Sequence, residues 1–146
     1  MTTAIHRRVE QLRVGNDPTL IARLSSGWAV FGERQFLRGY ALLLPDPVGA
    51  DLNAVAGEVR AAFLADMVRL GDALLAETGA LRINYAMFGN QEPALHVHLV
   101  PRYRDEAPNL ATAHPWAYDW SAAPLWCDAD LEELRTRLRA RLLDRS

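Results

Sequence analysis

The chain has 146 residues, enough for one domain and short for two; half are hydrophobic and 23% charged, the balance of a water-soluble globular protein whose core needs no disulfide. A formal net charge of -2 argues against a general nucleic-acid binder. All sixteen basic residues are arginine, which excludes a Gly-Lys-Ser/Thr phosphate loop, a lysine Schiff base and the protein-kinase lysine, and leaves phosphates to backbone N–H groups, histidine, asparagine or arginine.

Residues 1–26 are mixed and polar. Asp17-Pro18 predicts a short helix through Leu20, Ile21 and Leu24, with Asp17 as N-cap and Pro18 at the first helical position. Gly27 and Gly32 bracket a short strand at 28–31, followed by a turn at Glu33-Arg34. Residues 36–44 are apolar apart from Arg38 and Gly39 and stop at Pro45-Asp46-Pro47, the pattern of a central strand with 40–44 as its core. Residues 53–78 carry the clearest helix. Val59, Phe63, Met67, Leu70 and Leu74 recur at helical steps on one face, with Asp66, Arg69 and Asp72 largely outside it. Gly57 shifts the main start to near Glu58, and Gly79 is placed to end the helix.

Residues 80–88 alternate as a strand, 89–93 read as a loop stopped by Pro93, and 95–100 form another strand closed by Pro101. Residues 103–127 are loop-like, with tryptophans at 116, 120 and 126. A final helix carries an Asp130/Glu133 capping box, a stripe of Leu131, Leu134, Leu138 and Leu142, and a Glu133–Arg137 pair. Two strand pairs separated by one helix predict an α+β fold with a mostly antiparallel sheet. Cys127 is the lone cysteine and reads as inert. With no internal disulfide possible, and no apolar run after His6-Arg7-Arg8, a reducing, cytoplasmic setting is the expectation.

Of four histidines, His96 and His98 stand two apart in a predicted strand, so they share one face while Val97 and Leu99 take the other. Such a pair can be structural, can share a metal ion, or can do chemistry. A metal would need a third ligand, for which His114, Asp105 and Glu106 are the candidates by proximity in sequence.

The context is more informative. The run Gly89-Asn90-Gln91-Glu92-Pro93-Ala94-Leu95-His96-Val97-His98-Leu99-Val100-Pro101-Arg102 resembles the histidine triad (HIT) family, whose hallmark is His-x-His-x-His followed by two apolar residues, often with Pro-Arg next. Aligned on Pro101-Arg102, His96 takes the middle histidine and His98 the last, and Ala94 stands where the first belongs. Upstream, Ile83-Asn84-Tyr85 and Gly89-Asn90 resemble the family's Asn…Gly-Gln stretch. Residues 38–45 resemble its Gly-His-x-Leu-Val-x-Pro strand, with Tyr40 in place of the histidine. The resemblance is strongest over 27–104. Residues 105–146 add a Trp-rich loop and a C-terminal helix, so that 1–146 reads as a single HIT-like domain.

The resemblance implies an antiparallel sheet with one long helix packed on it. It also implies a nucleotide-conjugate hydrolase or nucleotidyl transferase acting at the α-phosphate through a covalent nucleotidyl-histidine, on phosphoramidate or dinucleoside polyphosphate substrates. His96 would be the nucleophile and His98 its partner, a charged donor to a phosphate or leaving-group oxygen. The backbone carbonyl of Ala94 would fix the His96 tautomer. Asn84 and Asn90 would contact phosphate oxygens. Arg102 is a further substrate-binding candidate, with a solvated strand-end arginine as its plainer reading. A neutral imidazole, of ordinary pKa near 6.5, is a competent nucleophile at neutral pH. The resemblance implies a homodimer and a mechanism without a metal; the charge and the lack of an apolar run add the expectation of no nucleic-acid or membrane partner, and no cofactor is expected. Two alternatives stay open: a nucleotide-binding module with little turnover, and a metal-binding protein using the His-x-His pair. His114-Pro115-Trp116 with Tyr118 and Trp120 reads as packing over the sheet or against a partner subunit, or else as a wall on the leaving-group side.

Overall fold

A computed structural model describes residues 2–126 and 128–144; Cys127 lies outside them. The chain opens with a helix where the sequence suggested only a polar segment. This helix, α1 (Ala4–Arg13), is closed at its start by a reciprocal cap. The Thr3 hydroxyl accepts from the His6 N–H at 3.3 Å, and His6 Nδ1 accepts from the Thr3 N–H at 3.1 Å. Ile5, Val9 and Leu12 form its buried stripe.

The helix expected from Asp17 is absent. The Asp17 carboxylate accepts from the Thr19 N–H at 2.9 Å and folds 17–19 into a turn, which delivers the chain into strand β1 (Leu20–Arg23). Asp-Pro serves a turn as well as a helix start, and the segment gains more as a strand: Ile21 is fully buried, and β1 pairs along β2 (Gly27–Phe31).

The other strands are β3 (Ala41–Pro45), β4 (Arg82–Ala86) and β5 (Val97–Arg102), in the antiparallel sheet order β1-β2-β3-β5-β4. The fold is therefore α+β as expected, with β3 central. β5 continues through Pro101 rather than stopping there. Its rungs with β3 cover only 97–99, so the proline's missing N–H breaks no bond to that neighbour.

The two faces of the sheet are covered differently. Phe31, Leu43, Val97 and Leu99 point toward α2 (Gly57–Thr78) and α4 (Asp128–Leu143), meeting Phe63, Leu70 and Leu74 of the first and the four-leucine stripe of the second. On the opposite face Val30, Leu42, Leu44, Tyr40 and Val100 pack with α1. Helix α2 ends, as its sequence suggests, at Gly79 with φ of +71°. Its stripe needs amendment at two places. Val59, in the first turn, is exposed, and Asp66 is buried. Asp66 accepts from the Ser26 N–H at 2.9 Å and from the hydroxyls of Ser26 and Ser25, and so fastens the β1–β2 turn to the helix. Burial opposes its ionisation, but these donors hold its carboxyl below the usual range.

Helix α4 begins two residues before Asp130, which thus sits in its first turn rather than capping it. Arg137 does bond Glu133, at 2.5 Å. Between β5 and α4 the chain forms a short helix α3 (Pro108–Ala111) and two 3-10 turns, Pro115–Ala117 and Trp120–Ala122. Among the described residues no helix is long and apolar enough to cross a membrane.

Candidate active site

The segment entering β5 is held from two sides. Glu92 accepts from the Ala4 N–H at the start of α1 at 3.1 Å, and the Leu95 N–H donates to the Gly49 carbonyl at 2.7 Å. This fixes residue 94 with its carbonyl 2.7 Å from His96 Nδ1. A carbonyl can only accept, so His96 carries its proton on Nδ1, and in the neutral ring Nε2 bears the lone pair. Ala94 itself is fully buried in the apolar cluster containing Ile5 and Val9. Position 94 therefore serves His96 through its carbonyl, while its methyl group packs in the core.

His98 follows on the same face, its ring centroid 5.0 Å from that of His96 and the planes at 74°. Its Nδ1 lies 2.7 Å from the Tyr40 hydroxyl. Strand register makes this meeting possible, because Leu42 of β3 stands opposite His98 and Tyr40 immediately precedes β3. Burial, with a smaller contribution from the neighbouring His96, pushes the His98 pKa down to about 4. His98 is thus neutral at neutral pH, not the charged donor the sequence suggested.

Both imidazoles open on a cleft of about 470 Å³. One wall is 88–92, which includes Phe88, Asn90 and Gln91; the other is Trp116 and Trp120. Trp116 stands edge-on to His98 at 5.0 Å and to Phe88 at 4.9 Å, and Trp120 packs on Phe36 at 3.9 Å. The Trp-rich segment thus both packs over the sheet and walls the cleft. A smaller cleft that includes Asp51 and Asn53 meets the first at Phe88, Gly89 and His96.

Asn90 lines the cleft beside the histidines; Asn84 and Arg102 do not. They lie together along a different surface depression with Arg82, Arg104 and His114. Arg102 is neither solvated nor a cleft residue. Its guanidinium donates to Asn84 Oδ1 at 2.8 Å, the Ala113 carbonyl at 2.7 Å, the Leu110 carbonyl at 2.8 Å and Glu106 at 2.9 Å. A guanidinium taken out of water needs all these acceptors, so the 103–118 segment folds around it. Glu106 accepts in addition from the Tyr103 N–H and the Tyr118 hydroxyl, each at 2.6 Å. Burial would raise its carboxyl, but bonds from Arg102, Tyr118 and Tyr103 hold it below the usual range. Among the described residues no three His, Cys, Asp or Glu side chains converge as a metal site, and the Glu106 carboxylate is committed to Arg102.

Sequence comparison matches no family model and no curated protein. Solved structures do resemble the chain. A histidine triad protein from Marinobacter aquaeolei superposes with a TM-score of 0.76 at 15% identity, covering 97% of each chain. A histidine triad (HIT) protein from Sinorhizobium meliloti gives 0.73 at 21% identity over 90% of this chain and 94% of its own. A hypothetical histidine triad nucleotide-binding protein from Sulfolobus tokodaii gives 0.71 at 12% identity over 92% and 89%. Together with the sheet order, these likenesses establish that the chain has the histidine triad fold.

Proposed function

We propose that the protein is a nucleotide-conjugate hydrolase or nucleotidyl transferase acting at the α-phosphate, with His96 Nε2 as nucleophile. The observation that carries this reading is the 2.7 Å bond from His96 Nδ1 to the Ala94 carbonyl, which leaves the other ring nitrogen free to attack. A bond forms from Nε2 to phosphorus as the bond to the leaving group breaks. Water or another acceptor then takes the nucleotidyl group and regenerates the imidazole. His98 supplies a hydrogen bond to a phosphate oxygen, and the 88–92 loop, through Asn90 and its N–H groups, supplies others. Phe88, Trp116 and Trp120 offer aromatic surfaces to a base or an aromatic leaving group.

In this reading Asn84 and Arg102 act at a distance, by holding the segment that carries Trp116 and Trp120. A homodimer of this chain in the cytoplasm is part of the proposal. Its support is the resemblance stated above and the position of β4 at the sheet's edge, where Leu81, Tyr85 and Met87 are exposed. The test is turnover of adenosine phosphoramidate and diadenosine polyphosphates, with acid quench to trap a nucleotidyl-protein. The wild type should turn over and be trapped, and His96→Ala should do neither. Nucleotide binding without turnover in the wild type would make the protein a binding module instead.

A further inference from the structure

The Tyr40 hydroxyl belongs to a residue only 4% exposed. A buried O–H must find an acceptor, and among the described residues the one polar atom bonded to this hydroxyl is His98 Nδ1, at 2.7 Å. Burial holds the phenol in its protonated form, so the hydroxyl has a proton to give. If Nδ1 accepts that proton's hydrogen bond, the ring's own proton must sit on Nε2.

The tyrosine is also held in place. A Cβ at Gly32 would overlap its ring, so glycine there leaves the ring its seat. The Tyr40 carbonyl accepts from the Gly32 N–H and from Gln35 Nε2, each at 2.9 Å, and the Tyr40 N–H donates to the Leu37 carbonyl at 3.1 Å. Phe36 and Trp120 pack on the ring at 5.3 and 5.1 Å. Neither the backbone nor the ring is free to swing away from His98.

We propose that Tyr40 is a positioning residue that locks His98 as the Nε2–H tautomer, presenting a neutral hydrogen-bond donor beside the Nε2 lone pair of His96. The two histidines then have opposite polarity, one fixed by a backbone carbonyl and the other by a phenol. The strand position where the sequence lacks a histidine is, on this account, occupied by a group with a task of its own. The catalytic consequence rests on the function proposed above; the tautomer does not.

The test is a long-range proton–nitrogen NMR spectrum of histidine-labelled protein at pH 7, which distinguishes the two tautomers without any substrate. In the wild type His98 should show Nε2–H and His96 Nδ1–H. In Tyr40→Phe, His98 should shift toward Nδ1–H while His96 keeps its pattern and reports an intact site. Nδ1–H on His98 in the wild type, or an unchanged His98 in Tyr40→Phe, would overturn the proposal. The wild-type spectrum alone decides the direction of the bond, even if the variant does not fold. With adenosine phosphoramidate, Tyr40→Phe should lower kcat about tenfold, as the loss of one hydrogen bond implies, and move KM by less than about twofold. Absent turnover in the wild type would sink the enzymatic reading and leave the spectral result standing.

Discussion

Arg102 at the end of β5 and Glu106 four residues on meet at 2.9 Å, with side chains only 7% and 3% exposed. Removing one partner of such a pair leaves the other charge buried and unpaired, which costs roughly 3–5 kcal/mol. Arg102→Leu should lose that much in urea unfolding. It should also make 103–118 susceptible to limited proteolysis, because the Leu110 and Ala113 carbonyls and Asn84 lose a donor with it.

Acid should weaken the protein earlier than its carboxylates do. His98 has a folded pKa near 4 against an ordinary value of 6.5, so between those values the unfolded chain binds a proton that the folded one does not. Stability is therefore full above pH 6.5 and is lost as pH falls toward 4, by up to ~3 kcal/mol. Glu106 adds its loss only below its ordinary value of 4.5. Denaturation midpoints between pH 6.5 and 4.5 should fall in the wild type and flatten in His98→Gln.

Gly32→Ala places a methyl group into the Tyr40 ring and should destabilise by about 1–3 kcal/mol through overpacking. Combined with Tyr40→Ala it should cost less than the sum of the two single changes, a coupling measurable in a double-mutant cycle by chemical denaturation.

Asp66→Ala should cost about 2–3 kcal/mol, because the buried Ser26 N–H and hydroxyl lose their acceptor. Asp66 lies on α2, against the sheet face opposite the cleft, so nucleotide turnover and the His96 and His98 spectra should not change.

Where the chain repeats a period over many residues, its sequence states the element plainly. The leucine stripe of α4 and the Phe63–Leu70–Leu74 face of α2 are buried as their spacing requires. The failures are short or cooperative features. Helix α1 spans ten residues and its Thr3 cap is answered by His6 rather than by an acid or amide, and β1 spans four residues behind an ambiguous Asp-Pro. Asp66 falls three residues after Phe63, on the buried side, but its charge points outward until the two serines of a distant turn are known. The site shows the same division. His96, His98 and the Ala94 carbonyl are local to one segment and can be read there. The Tyr40–His98 bond joins positions 58 apart and follows from strand register, and the destination of Arg102 depends on a loop with no periodic pattern.

The low basicity of His98 bears on what the cleft can do with a departing group. A ring that resists protonation down to about pH 4 offers a hydrogen bond but holds no transferable proton in reserve at neutral pH. Leaving groups that depart as stable anions would then suffer little, while poorer ones would depend on solvent for their proton. On the proposed function, rate across a graded set of nucleotide esters and amides should track the acidity of the departing group steeply.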